Sequence, residues 1–252
     1  MTQDRRDFIR KTVLGSAMAL TIPQIVSAAF EEKKTKKITL SKDDVILFQG
    51  DSITDMGRNR SRKDANDNSG LGPSYPFIAA SELLFKYPGK NLQIYNRGIS
   101  GNVVPQLIAR WQEDCIDLKP NVLSILIGVN DYWHTLGGGG YKGTIQSYRE
   151  DYKKLLDTTK QALPDVKLII GEPYAVPGVK AVDNSWFPAF SEYQQTAREL
   201  ADSFGAVFIP YQHIYEQAQK LAPAVYWTRD GVHPDTAGDA LMAHAWLEAV
   251  KG

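Results

Sequence analysis

Val45-Ile46-Leu47-Phe48-Gln49-Gly50-Asp51-Ser52-Ile53-Thr54 decides how this chain is read. Four consecutive apolar residues, with β-branched and aromatic side chains among them, predict a strand buried on both faces, and Gly-Asp-Ser marks the exit from the sheet. The pattern recurs along the chain. Short apolar runs at 45–48, 92–95, 122–127, 166–170 and 206–209 alternate with helical patterns at 75–85, 103–118, 145–163, 187–204, 211–221 and 236–250. Doubly buried strands separated by helices predict a parallel sheet covered on both sides. Right-handed crossovers then give an α/β fold, one three-layer α/β/α domain on five parallel strands. Ligands of such sheets bind at the carboxyl ends of the strands, which is where Ser52 stands.

The 252 residues are 43% hydrophobic and can bury a substantial core, and no repeat, long linker or like-charge block divides them. Lys plus Arg equals Asp plus Glu at 29 each, so no global field directs the chain to nucleic acid or an anionic membrane. A neutral substrate is expected. Cys115 is the only cysteine, which excludes an intramolecular disulfide and thiolate metal clusters; it falls inside the helix expected at 103–118, without a catalytic motif around it. No His, Asp and Glu spacing resembles a metal site, and no cofactor is expected. Gly138-x-Gly140-x-x-Gly143 has the form of a dinucleotide fingerprint, but residues 131–136 separate it from the preceding strand. These glycines are read instead as a mobile rim loop that lets Tyr132, Trp133 and His134 adjust.

Near the other end stands Asp230-Gly231-Val232-His233-Pro234. A hydroxyl just past a buried strand becomes a nucleophile when an imidazole takes its proton and a carboxylate fixes the imidazole tautomer. Ser52, His233 and Asp230 are therefore the candidate catalytic residues of a hydrolase. The Gly-x-Ser-x-Gly elbow of α/β-hydrolases is absent, so a different serine-hydrolase architecture is required. Taken singly, Ser52 could cap the helix after its strand, and His233 could start a helix ahead of Pro234.

Two more motifs follow expected strands, Gly98-Ile99-Ser100-Gly101-Asn102 and Gly128-Val129-Asn130-Asp131. With Gly50-Asp51-Ser52 and Asp230-x-x-His233, in this order, they resemble the SGNH (GDSL) esterases and acylhydrolases, including bacterial carbohydrate acetylesterases. The resemblance runs from about Val45 to the last helix. It implies strand order 2-1-3-4-5, Ser52 as nucleophile, His233 as base and Asp230 as its orienter. It also implies an oxyanion hole from the Ser52 and Gly101 amides and the Asn130 side chain; such donors must be aimed before charge develops. Asp51 and Asp131, beside those positions, are read as tying turns through backbone N–H groups.

The substrate reading is a short acyl ester, most often acetyl, of a carbohydrate. Trp133, Trp186 and Trp227 flank the motifs and are candidate substrate-binding aromatics, joined by Phe187 and Tyr226. A polar loop at 57–74 enters just after Ser52, and its Arg and Asn groups either reach a polar substrate or are solvated. The alternatives are a lysophospholipase, a platelet-activating-factor acetylhydrolase-like enzyme or an arylesterase, and, from another class, a non-catalytic glycan-binding module.

Residues 1–29 read as a twin-arginine-type signal peptide, followed by a charged spacer at 30–43 and the hydrolase domain at 44–252. Arg5-Arg6-Asp7-Phe8-Ile9 precedes a short apolar stretch at 13–22 and the small residues Ser27-Ala28-Ala29. The stretch is too short for stable membrane insertion. The expected partner is the twin-arginine export machinery and the expected location periplasmic or extracellular. An amphipathic helix belonging to the domain is the other reading of this segment.

Overall fold

The computed structural model describes residues 21–31, 37–137 and 141–252. Seven strands are found among them: β1 (Ile38–Thr39), β2 (Val45–Gly50), β3 (Gln93–Asn96), β4 (Val122–Leu126), β5 (Lys167–Gly171), β6 (Val207–Ile209) and β7 (Val250–Lys251). The α-helices are α1 (Ile22–Glu31), α2 (Ser52–Asp55), α3 (Asn68–Leu71), α4 (Tyr75–Lys86), α5 (Val104–Asp114), α6 (Val129–Leu136), α7 (Ile145–Ala162), α8 (Ala189–Ser203), α9 (Tyr211–Ala218), α10 (Ala224–Trp227) and α11 (Thr236–Glu248). No helix among the described residues is long and apolar enough to cross a membrane.

Five strands pair in parallel in the order β3-β2-β4-β5-β6, which is 2-1-3-4-5 counted within the sheet. β4 is central and all five of its residues are buried, as a strand covered on both faces requires. One layer consists of α5, α7 and α8 packed side by side; the other contains α4, α11, α9 and α1. The indole N–H groups of Trp246 and Trp111 donate to Ser124 Oγ at 3.0 Å and to Thr159 Oγ1 at 2.9 Å, which satisfies their one polar atom inside the core. A second, two-stranded parallel pairing joins β1 to β7.

Several elements show features that the sequence did not indicate, among them the short helix α3 inside the loop expected at 57–74 and the end of α9 at Ala218. The helix expected at 103–118 ends at Asp114, because Cys115 leaves helical geometry (φ −137°) before a 3₁₀ turn at Ile116–Leu118. Cys115 is thus buried at a helix end instead of mid-helix, and burial raises its thiol pKa. Tyr132, Trp133 and His134, expected to adjust beside a glycine rim loop, belong to the helix α6, which was not expected; Gly138 and Gly140 of that loop lie outside the described residues. Residues 22–31 form α1, with Ile25, Val26, Ala29 and Phe30 buried and the helix packed on α11 and α9. Residues 1–20, with the paired arginines, and 32–36 of the spacer lie outside the described residues.

Candidate active site

β2 delivers the chain to Gly50, and Asp51 caps the short helix α2 by accepting from Ile53 N–H at 2.9 Å. Ser52 is therefore the first residue of the turn, at the carboxyl edge of the sheet. At the other end of the chain Gly231 adopts φ +93°, where a Cβ would lie 2.8 Å from both Val176 O and Val182 Cβ. That conformation suits glycine and folds Asp230 back onto His233.

The three side chains form one hydrogen-bonded line. Ser52 Oγ is 2.8 Å from His233 Nε2, and His233 Nδ1 is 2.7 Å from Asp230 Oδ2. The other Asp230 oxygen accepts from the amides of Val232 at 2.9 Å and His233 at 2.7 Å. Burial alone raises the Asp230 pKa, but the bonds from the His233 side chain and from the two amides outweigh it and bring it to about 2. An ionised carboxylate only accepts, so Nδ1 carries the proton and Nε2 is left to accept from the Ser52 hydroxyl. Such a line can move a proton from hydroxyl to imidazole while the oxygen attacks an electrophile.

The segment 98–102 follows β3, and Gly101 (φ +81°) makes its turn. Asn130, at the start of α6, is buried, and its Nδ2 donates to Asn102 O at 3.2 Å. That bond uses one of two amide hydrogens. Among the described residues the Ser52 and Gly101 amides have no hydrogen-bond acceptor. The two amides and the second Asn130 hydrogen are thus uncommitted donors, of the kind that can stabilise an oxygen gaining negative charge.

Asp51 and Asp131 lie buried on either side. Asp131 Oδ1 accepts from Val104 N at 3.0 Å and from Tyr141 Oη at 3.3 Å, tying α5, α6 and the segment after the glycine run. Desolvation pushes both carboxyls up to about 7, partly offset by the backbone bonds from Ile53 and Val104.

Of the three tryptophans, the structure brings two to the site. Trp133 lies 6.3 Å from the His233 ring and 5.7 Å from Trp186, centroid to centroid, and the buried Trp186 is backed by Tyr132 at 5.3 Å. Trp227 is buried elsewhere: its indole donates to Ala222 O at 3.1 Å, and it lines a cavity with Ile22 and Pro23 of α1. Its nearness to Asp230 in sequence misleads because Thr228 and Pro234 pair across a tight loop that separates them.

The 57–74 loop is held by the protein itself. Arg58 Nε donates to Gly98 O at 2.9 Å, Arg60 pairs with Asp55, and Arg62 Nη2 pairs with Asp67 at 2.6 Å. Arg58 Nη1 is buried and has no hydrogen-bond partner among the described residues, so this guanidinium is only partly committed. The contacts of Asp55, Arg58 and Arg110 with 98–102 carried no signal in the sequence, because the partners lie 8 to 45 residues apart.

The chain matches the profile of the GDSL-like Lipase/Acylhydrolase family over residues 48–241. It is 31% identical over 209 residues to an acetylxylan esterase of Geobacillus stearothermophilus, covering 81% of this chain and 93% of that one. Among solved structures, a protein named as a GDSL-like lipase from Parabacteroides merdae superposes with a TM-score of 0.83 at 49% identity, covering 85% of this chain and 98% of that one. The acetylxylan esterase Axe2 of Geobacillus stearothermophilus superposes with a TM-score of 0.75 at 29% identity, covering 84% and 96%.

Proposed function

Because the chain belongs to the GDSL-like lipase/acylhydrolase family and is a carboxylic ester hydrolase, we propose that it removes acetyl groups from a carbohydrate with Ser52 as nucleophile. The observation that carries the catalytic assignment is the unbroken Ser52–His233–Asp230 line. Ser52 Oγ attacks the ester carbonyl carbon as His233 Nε2 takes the hydroxyl proton. The former carbonyl oxygen becomes an oxyanion facing the Ser52 and Gly101 amides and the Asn130 side chain. Collapse expels the sugar oxygen, which receives the proton from Nε2, and leaves acetyl on Ser52. Water, deprotonated by the same nitrogen, releases acetate and restores the serine.

The acetyl and carbohydrate parts are supported by the names of the Geobacillus relatives and by the Trp133–Trp186 wall beside His233. The lipase name of the Parabacteroides protein favours a second reading, a lipid acyl ester. Export through the twin-arginine route, from Arg5 and Arg6, is part of the same proposal. Acetate release from acetylated xylans and other acetylated polysaccharides, measured beside acyl esters of graded length, separates the two readings. Ser52→Ala is expected to abolish release in both assays while keeping the wild-type melting curve; turnover near wild type would remove Ser52 from the mechanism.

A further inference from the structure

The three proposed oxyanion donors stand on three separate elements: Ser52 opens α2, Gly101 lies between β3 and α5, and Asn130 is near the start of α6. Useful donors must keep their mutual geometry to a fraction of an ångström. One buried side chain spans two of these elements. Asp55 ends α2, a single turn closed by Met56 N donating to Ser52 O at 2.9 Å, so its carboxyl is tied to Ser52 by the shortest helical path.

Asp55 Oδ2 accepts from Ser100 N at 2.8 Å and from Ser100 Oγ at 2.7 Å. Ser100 precedes Gly101, and the peptide plane between them carries the Gly101 N–H. Holding Ser100 at two atoms fixes one end of that plane, and Asn102 N donating to Ile99 O at 3.1 Å closes the turn on its other side, so together they restrict the direction of that N–H. The flanks are gripped too: Gly98 O accepts from Arg58 Nε at 2.9 Å, and Asn102 Oδ1 accepts from Arg110 Nε at 3.0 Å. Arg60 Nη2 donates to the same Oδ2, and the buried Oδ1 has no hydrogen-bond partner among the described residues, with Arg58 Nε 3.9 Å away. All hydrogen bonds to this carboxylate thus converge on Oδ2, and two of the three come from Ser100.

We propose that Asp55 is a positioning residue for ester hydrolysis, which by holding Ser100 fixes the Gly101 N–H relative to Ser52. The proposal rests on the oxyanion reading given above. Asp55 touches no substrate atom; it acts through the Gly101 amide. Asp67, in the same loop, is the contrasting case: it pairs with Arg62 and caps α3 through Gly70 N, and these bonds hold only the loop itself.

The test uses the full chain with Asp55→Asn, Ser100→Ala, Asn130→Ala and Asp67→Asn. Each is measured for kcat and KM on 4-nitrophenyl acetate, for inhibition by phenylboronic acid, which forms a tetrahedral adduct on a nucleophilic serine, and for melting temperature. Asp55→Asn is expected to lower kcat about 10- to 100-fold, with KM within about twofold, and to weaken the boronate by a similar factor. Ser100→Ala removes one of the two bonds and is expected to show the same split at smaller amplitude. Asp67→Asn is expected to melt lower and keep its kcat. A folded Asp55→Asn with kcat within about twofold of wild type overturns the proposal. If that variant does not fold, an unchanged kcat in Ser100→Ala overturns it. A loss of kcat in Asp67→Asn matching its loss of stability overturns it as well. Slow Asn130→Ala beside normal Asp55→Asn defeats the positioning role alone, whereas normal kcat in Asn130→Ala defeats the oxyanion reading with it.

Discussion

Asp230 uses its two oxygens differently, one for the amides of Val232 and His233 and one for the imidazole Nδ1–H. Asp230→Asn keeps the shape but replaces one acceptor by an NH₂ donor, which favours the imidazole tautomer protonated on Nε2. That tautomer cannot accept from Ser52. A fall in kcat of roughly 10⁴-fold is expected on 4-nitrophenyl acetate, and a loss below tenfold would show that the tautomer is set by another group. The carboxylate also carries a pH signature. Its folded-state pKa is lowered to about 2, chiefly by the His233 and Val232 bonds acting against burial. Its contribution to stability is therefore present above its unfolded value near 4 and disappears as pH falls through about 2. The melting-temperature advantage of wild type over Asp230→Asn should shrink over that interval. At this scale the sequence was most legible where chemistry is written in short spacings, as in Asp230-x-x-His233. It was silent about Asp55 because nothing local distinguishes a carboxylate that meets Ser100 from one that meets water.

Among the elements, α6 carries two of the proposed site residues. Its residues Asn130 and Trp133 are three apart, which on a helix places them on one face. The proposed oxyanion donor and the ring beside His233 are thus delivered by the same eight-residue helix. The helix escaped sequence reading because it is short, bounded by Gly128 and Gly137, and shows no long apolar period. If Trp133, backed by Trp186, closes the acyl side, each methylene beyond acetyl meets a wall instead of gaining ~0.8 kcal/mol of burial. Activity on nitrophenyl esters should fall from acetate to butyrate and be negligible at octanoate, and Trp133→Ala should raise the octanoate-to-acetate ratio. A wild-type kcat/KM that climbs toward octanoate would sink the acetyl reading and leave the Ser52 assignment standing. A different element carries a stability prediction. Asp239 of α11 is buried, accepts from Tyr75 N at 3.1 Å, and is raised by desolvation to about 7. A raised folded-state pKa means stability is full below about 4 and is lost as pH rises through 7, because the native state must then ionise a buried group. Asp239→Asn keeps an acceptor for Tyr75 and has nothing to ionise. The variant should match wild type near pH 4 and melt about 2–4 °C higher by pH 8. An equal pH slope for both proteins would place the titration elsewhere.

For the whole molecule, the sheet was legible because its strands are apolar runs buried on both faces. β4, expected at 122–127, is observed as Val122–Leu126, and β6, expected at 206–209, as Val207–Ile209. What the sequence could not supply was which distant surfaces meet, as Trp227 shows by packing beside α1 instead of beside His233. The same limit applies at the amino end. Arg5 and Arg6 are read as an export signal, while α1, just downstream, packs its Ile25, Val26, Ala29 and Phe30 on the domain. A twin-arginine translocase receives proteins already folded, and this chain suits such a route because its one cysteine leaves no disulfide to form after crossing. On the proposed twin-arginine route the signal would be the guanidinium pair and not its charge, so replacing both arginines by lysine keeps the charge and should abolish export. Cells carrying Arg5→Lys and Arg6→Lys together should retain the esterase in the cytoplasmic fraction, with kcat and melting temperature equal to those of a wild-type chain isolated from the cytoplasm. On the proposed route folding precedes translocation, so only the address would be lost. Undiminished export of the lysine pair would defeat the twin-arginine reading and point to the general secretory route, and the intact mass of the exported protein would then show on which side of α1 the chain is cut.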